Sequence, residues 1–174
     1  MSRRSPVLFT LAVAAAALTA AACAPTTGGP GLPIPVEDDS FDPSDFAWST
    51  HSGSSSIDGR VDYRPGGVAY RCSGSVGLVP DTPYTRSRFR VLYGSTDRAA
   101  VPEEVVRARN VPDPNADYRA FTRSDACSDN RFDFAGLPDG SWFLIVPVSG
   151  ADGGRMVLMR RVVTRGGPIS VSLN

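Results

Sequence analysis

Ile57-Asp58-Gly59-Arg60-Val61-Asp62-Tyr63-Arg64 alternates uncharged and charged residues without a break. Successive side chains of a strand point to opposite faces, so this stretch reads as a β-strand with one apolar and one charged face. Pro65-Gly66-Gly67 follows it as a turn. Beyond the turn, Val68, Tyr70, Cys72, Val76 and Leu78 share one parity around Gly74, which predicts two strands with a bend or bulge at the glycine. Pro80-Asp81-Thr82-Pro83 closes the run as another turn.

The same rhythm returns further along. Residues 84–93 fit two periods: Phe89, Leu92 and Tyr93 have helical spacing, while Arg86, Arg88 and Arg90 alternate. Pro102-Glu103-Glu104-Val105-Val106-Arg107 reads as a short helix with Pro in its first turn and a Glu103–Arg107 pair. Residues 111–115 read as a loop and 118–124 as a strand, and 125–130 as a turn. Phe132 and Phe134 then share one strand face, and Leu137-Pro138-Asp139-Gly140 is a tight turn. Trp142, Leu144, Val146 and Val148 alternate with Phe143 and Ile145, which predicts a central strand apolar on both faces. Pro147 has no N–H for a ladder, so it is expected at a strand end or bulge. After a hairpin loop at 150–154 come a strand at 155–164 and a last one with Ile169, Val171 and Leu173 inward and Ser170, Ser172 and Asn174 outward. Short strands separated by Gly/Pro turns predict an all-β fold, an antiparallel β-sandwich of seven to nine strands, preceded by a signal helix and a disordered linker.

The N-terminus carries an address. Ser2-Arg3-Arg4 is a cationic start, residues 7–18 are apolar, and Ala20-Ala21-Ala22 leads into Cys23. The apolar run is well short of the roughly 20 residues that span a bilayer. It reads as an export signal over residues 1–22, and its end resembles the lipobox of a bacterial lipoprotein, with Cys23 as the acylated residue. A plain cleavage after Ala22 leaves the same cysteine first and is the alternative. Residues 23–51, with many Pro and Gly, are expected to be a flexible tether, and 52–174 the folded domain. The expected location is the bacterial cell envelope, lipid-anchored and facing the periplasm or the cell surface.

Composition excludes several chemistries. Beyond residue 22 the chain holds 16 Arg and 18 acidic residues, a formal charge of −2 with the signs interspersed, which gives no electrostatic case for nucleic acid. It has no Lys, so a Schiff base, a P-loop lysine and a Lys–Asn isopeptide bond are unavailable. The single histidine, His51, sits in a Ser/Gly-rich stretch and leaves no base for a Ser-His-Asp triad or a reactive thiol, and too few ligands for zinc. Cys72 and Cys127 remain after the signal, and in an oxidising compartment they are expected to pair; two buried free thiols are the alternative.

Thr122-Arg123-Ser124-Asp125-Ala126, then Asn130-Arg131-Phe132-Asp133-Phe134 and Gly136-Leu137-Pro138-Asp139-Gly140-Ser141-Trp142-Phe143-Leu144, resemble the hairpin of carboxypeptidase regulatory-like domains, which belong with transthyretin-like sandwiches, so the expected sandwich is of transthyretin-like or Ig-like type. The strand around Gly59 and Cys72-Ser73-Gly74 before Val76 fit the same pattern. The resemblance implies that Phe132, Phe134, Trp142 and Leu144 pack between sheets. It also implies that Asn130 takes the left-handed backbone of a glycine. The histidines and C-terminal motif of the hydroxyisourate-hydrolysing members are missing, so that activity does not carry over.

Three further groups are candidate sites. Asp125, Asp129, Asn130 and Asp133 offer oxygens for a cation, but without EF-hand spacing they read as a polar turn, and no metal or cofactor is expected. Tyr63, Tyr70, Tyr84, Tyr93, Tyr118 and Trp48 would make a sugar platform if exposed, and core if not. Arg86, Arg88 and Arg90 would make an anion-binding face if they lie along one strand. The expected function is a non-catalytic envelope lipoprotein, a structural or protein-interaction module with an envelope protein as partner. The alternative is a domain that binds carbohydrate or peptidoglycan.

Overall fold

The alternation becomes nine strands among the described residues, which in this computed structural model are 39–111 and 116–174. The expected signal at 1–22, Cys23 and the first part of the expected tether lie outside them. In chain order come β1 (Ser55–Val61), β2 (Tyr70–Cys72), β3 (Ser75–Pro80), α1 (Pro83–Tyr93), β4 (Arg98–Pro102) and α2 (Glu103–Ala108). Then follow β5 (Arg123–Ala126), β6 (Arg131–Leu137), β7 (Gly140–Gly150), β8 (Arg155–Thr164) and β9 (Pro168–Leu173). A three-stranded sheet, β6-β1-β9, faces a six-stranded sheet, β4-β8-β7-β3-β5, with β2 pairing β7 beyond β3. The fold is the expected β-sandwich, with one difference. β9 runs parallel to β1, because the turn at 165–167 passes it from β8 to the opposite sheet in that direction.

Two cores lie on the two faces of the larger sheet. Ile57, Phe132, Phe134, Leu137, Trp142, Leu144 and their neighbours fill the space between the sheets. Phe46, Val79, Phe89, Tyr93, Phe143 and Met159 fill the space between the larger sheet and a layer of helices. That second layer explains why β7 is apolar on both faces. Pro147 falls opposite the break between β2 and β3, where the Ser73 N–H donates to its carbonyl at 3.0 Å, so the N–H that proline lacks is not needed by a ladder. Gly74, with φ 144°, makes that break.

The helix α1 settles the ambiguous 84–93 segment. Thr82 and Thr85 form a reciprocal cap, with Thr85 N–H donating to Thr82 Oγ1 at 3.2 Å and Thr82 N–H to Thr85 Oγ1 at 2.9 Å. Gly94 ends the helix with φ 73°. On a helix, residues two apart point away from each other, so Arg86, Arg88 and Arg90 do not share one face. Arg86 turns to Asp81, Arg88 lies over the Tyr118 ring at 5.2 Å, and Arg90 faces solvent.

Two further expectations are corrected. The strand expected at 118–124 is mostly a 3₁₀ helix, Ala116–Phe121, and β5 begins only at Arg123. Tyr118 and Phe121 are three apart, so one turn of that helix turns both onto the second core. The tether expected to reach His51 ends earlier. Residues Pro43–Thr50 form a 3₁₀ helix capped by Asp42, whose side chain accepts from the Ser44 N–H at 2.8 Å. Phe46 is 0% exposed and stacks on Phe121 at 4.9 Å between centroids, while Trp48 meets Trp142 edge-on at 4.8 Å. The outer apolar face of the larger sheet requires a cover, and Phe46 and Phe121 supply part of it, while Trp48 packs into the core between the sheets.

The hairpin turn ties the small sheet to the rest. Asp139 accepts from Ser55 Oγ at 2.8 Å and from the Gly166 N–H. Asn130 has φ 61°, the left-handed backbone expected there, and its carbonyl accepts from the Val61 N–H at 2.9 Å. Cys72 and Cys127 form a disulfide, with Cα atoms 6.0 Å apart. Closing a loop of 55 residues stabilises the fold by about 4 kcal/mol through the chain entropy of the unfolded state.

Candidate functional site

Among the described residues, no helix or strand covers the outward face of the three-stranded sheet. Along these strands Asp58 and Arg60 on β1 and Arg131 and Asp133 on β6 are exposed, while Ile57, Val61, Phe132, Phe134, Val171 and Leu173 between and beside them are buried. Register fixes which outward residues meet. Asp133, Asp58 and Ser170 stand side by side across the three strands, and two residues along, Arg131, Arg60 and Ser172 do the same. The face therefore has an acidic row and a basic row. Arg60 Nε donates to Ser172 Oγ at 3.5 Å, and the Asp133 N–H donates to Asp125 Oδ2 at 3.0 Å. The second contact brings a third carboxylate beside the acidic row.

These rows floor an open concavity of about 690 Å³, rimmed by Asp125 and Ala126 of β5 and Ser128 of the β5–β6 connection. Its floor is backed from beneath by the core. The Phe132 ring lies over Gly59, where an added Cβ would meet it at 2.0 Å, so the glycine is required by close approach. The rows are thus presented by rigid strands and not by a loop.

Of the four oxygen-bearing residues at 125–133, two reach this concavity, Asp125 and Asp133. Asn130 turns inward, accepting from the Cys72 N–H at 3.0 Å, and Asp129 sits at the turn with φ 51°. Among the described residues no group of three or more His, Cys, Asp or Glu is placed to hold a metal ion.

Burial assigns the tyrosines and Trp48 to the cores and leaves no sugar platform among them. Tyr70, Tyr84, Tyr93 and Tyr118 are all in the cores, and Trp48 and Tyr63 are half-buried against them. Val91 and Val163 are the exposed large hydrophobic residues among those described. His51 lies exposed at the end of the first 3₁₀ helix and does not line the concavity; its carbonyl accepts from Arg123 at 3.4 Å.

A second charged cluster is structural. The Asp81 side chain is 0% exposed and accepts from Arg86 Nε at 3.0 Å, Arg161 Nε at 2.5 Å and Ser141 Oγ at 2.9 Å. Burial pushes its carboxyl up, but the hydrogen bonds from Arg86, Arg161 and Ser141 outweigh this and hold it below the ordinary carboxylate value. The cluster joins β3, α1, β7 and β8 at one point.

Asp58, Arg60, Arg131, Ser170 and Ser172 were legible as outward residues but not as a site, because their meeting depends on register across three strands distant in sequence.

No protein-family model and no curated protein sequence matches the chain. In fold, the chain is similar to the crystal structure of a "putative carbohydrate binding protein" from Pseudomonas aeruginosa, with a TM-score of 0.51 at 18% identity, covering 76% of this chain and 96% of that one. At that identity the likeness is one of fold.

Proposed function

We propose that the chain is a non-catalytic binding domain of a bacterial cell envelope, anchored by an acyl group on Cys23, and that its ligand is a glycan of the envelope taken up on the outer face of the three-stranded sheet. The observation that carries this reading is the polar concavity, where carboxylates, guanidiniums and hydroxyls stand at fixed spacing on strands. Such groups suit a ligand rich in hydroxyls, amides and charges. A stable protein partner would call for a buried apolar centre, and the exposed large hydrophobics among the described residues are the scattered Val91 and Val163. The similar fold of the Pseudomonas protein, whose name points to carbohydrate, supports the same ligand class. A non-catalytic role is supported by the use of both domain cysteines in the disulfide and by the position of His51 outside the lining of the concavity. The β6–β7 hairpin, with Phe132, Phe134 and Trp142 between the sheets, supports a carboxypeptidase regulatory-like classification.

Co-sedimentation of the full chain with purified peptidoglycan sacculi tests the binding. Sedimentation that is lost when Asp58, Arg60, Arg131 and Asp133 are all changed to Ser is expected; retention by that variant would sink the assignment of the face. Anchoring is tested by Cys23→Ser, which should leave the envelope in a detergent-free wash; continued membrane retention would refute acylation as its cause.

A further inference from the structure

On an exposed sheet face, opposite charges across a strand pair support the ladder and like charges weaken it. Here acid faces acid and guanidinium faces guanidinium: Asp58 is opposite Asp133, and Arg60 is opposite Arg131. Exchanging the two residues on β6 would turn both pairs into ion pairs with no change of composition. Among the described residues no ion pair joins these four side chains, although several form elsewhere on the surface. A local rule broken twice on one rigid, concave face marks a site whose charges serve something outside the chain.

Resting on the glycan reading above, we infer that this face receives a zwitterion: the peptide arm of a glycan-linked peptide, with its ammonium on the acidic row and its carboxylate on the basic row. The rows are two residues apart along the strands, about 7 Å. A free α-amino acid holds its two charges on one carbon and is too short to reach both. A short peptide, or a residue with an ammonium at the end of its side chain, spans them. Asp58 and Asp133, with Asp125 beside them, give the ammonium several acceptors. Arg60 and Arg131 give the carboxylate paired donors, and Ser170 and Ser172 extend the two rows with hydroxyls. The burial of the tyrosines fits this choice, because a sugar ring finds no exposed aromatic plate here, whereas charged peptide groups find partners.

The test is calorimetric titration of the full chain with a disaccharide-peptide fragment of peptidoglycan that carries a free ammonium and a free carboxylate. Parallel arms use the same fragment with the ammonium acetylated, the same fragment with the carboxylate amidated, and the disaccharide alone. The intact fragment is expected to bind, each blocked form to lose roughly tenfold or more in affinity, and the disaccharide not to bind. Equal binding of disaccharide and intact fragment would overturn the zwitterion inference and leave the glycan reading standing; no binding in any arm would overturn both. The variant Arg131→Asp/Asp133→Arg keeps composition and net charge. It is expected to melt a few degrees higher than the parent and to lose the intact fragment. Undiminished binding by it would remove the site from these rows. Should it fail to fold, Asp58→Asn/Asp133→Asn serves instead: it should abolish discrimination between the free and the acetylated ammonium, and persistence of that discrimination would overturn the inference.

Discussion

Replacing Asp81 by Asn tests the electrostatic frame that holds the larger sheet to α1. The native carboxylate accepts three hydrogen bonds, two of them from guanidiniums, while fully buried. Hydrogen bonds to charged groups contribute about 1.5–3 kcal/mol each. Arg86 is 33% and Arg161 38% exposed, so water recovers part of what either loses and the low end applies. Asn keeps one oxygen for one guanidinium and turns an amide donor toward the other. The expected loss is about 2–3 kcal/mol, or on the order of 10 °C in melting temperature for a domain of this size. The pH dependence follows from the lowered carboxyl. A carboxylate depressed in the folded state stabilises above its unfolded value, about 3.9, and that contribution fades as pH falls through the folded value. The gap between parent and Asp81→Asn should therefore be full at neutral pH and close in acid, below about pH 4. Thermal melts followed by circular dichroism between pH 7 and pH 2 measure it. A gap that persists unchanged into strong acid, or one below about 0.5 kcal/mol at pH 7, would refute the reasoning.

Phe46→Ala should cost about 3–5 kcal/mol, as for a large core residue, although it lies in a stretch rich in Pro and Asp; chemical denaturation showing a loss under 1 kcal/mol would return Pro43–Thr50 to the tether. Cys72→Ser/Cys127→Ser should lower stability by up to about 4 kcal/mol, and the parent should lose a similar amount under reductant; insensitivity to reductant would contradict a bridge in the folded protein.

Much of the sandwich was legible because its period is two and its turns are marked. Ile57 to Val61 and Trp142 to Val148 announce their faces, and the double-sided apolarity of β7 anticipates a buried central strand. The helical layer was harder. Its cover is assembled from Phe41 and Phe46 in a segment whose composition reads as linker, from Phe121 in one that reads as a strand, and from a helix whose alternating arginines mimic a strand. Only the sheet's need to bury Val79, Phe143 and Met159 recruits them, and that need is tertiary. The candidate site was half visible. Asp125 and Asp133 stood out as acidic residues, yet as members of a turn with Asp129 and Asn130. The rows arise because β9 enters beside β1 in parallel, which aligns Ser170 with Asp58 and Ser172 with Arg60 across more than 100 residues of chain. Nothing local to either strand specifies that alignment.

Mapping the ligand on the molecule tests the central claim most directly. Amide chemical shifts of the isotopically labelled full chain, recorded during titration with the disaccharide-peptide fragment, should move at Asp58, Arg60, Arg131, Asp133, Ser170 and Ser172 and stay still in α1 and α2. Shifts confined to the helical layer, or a spectrum unchanged at saturating fragment, would contradict the assignment of the three-stranded sheet as the binding face.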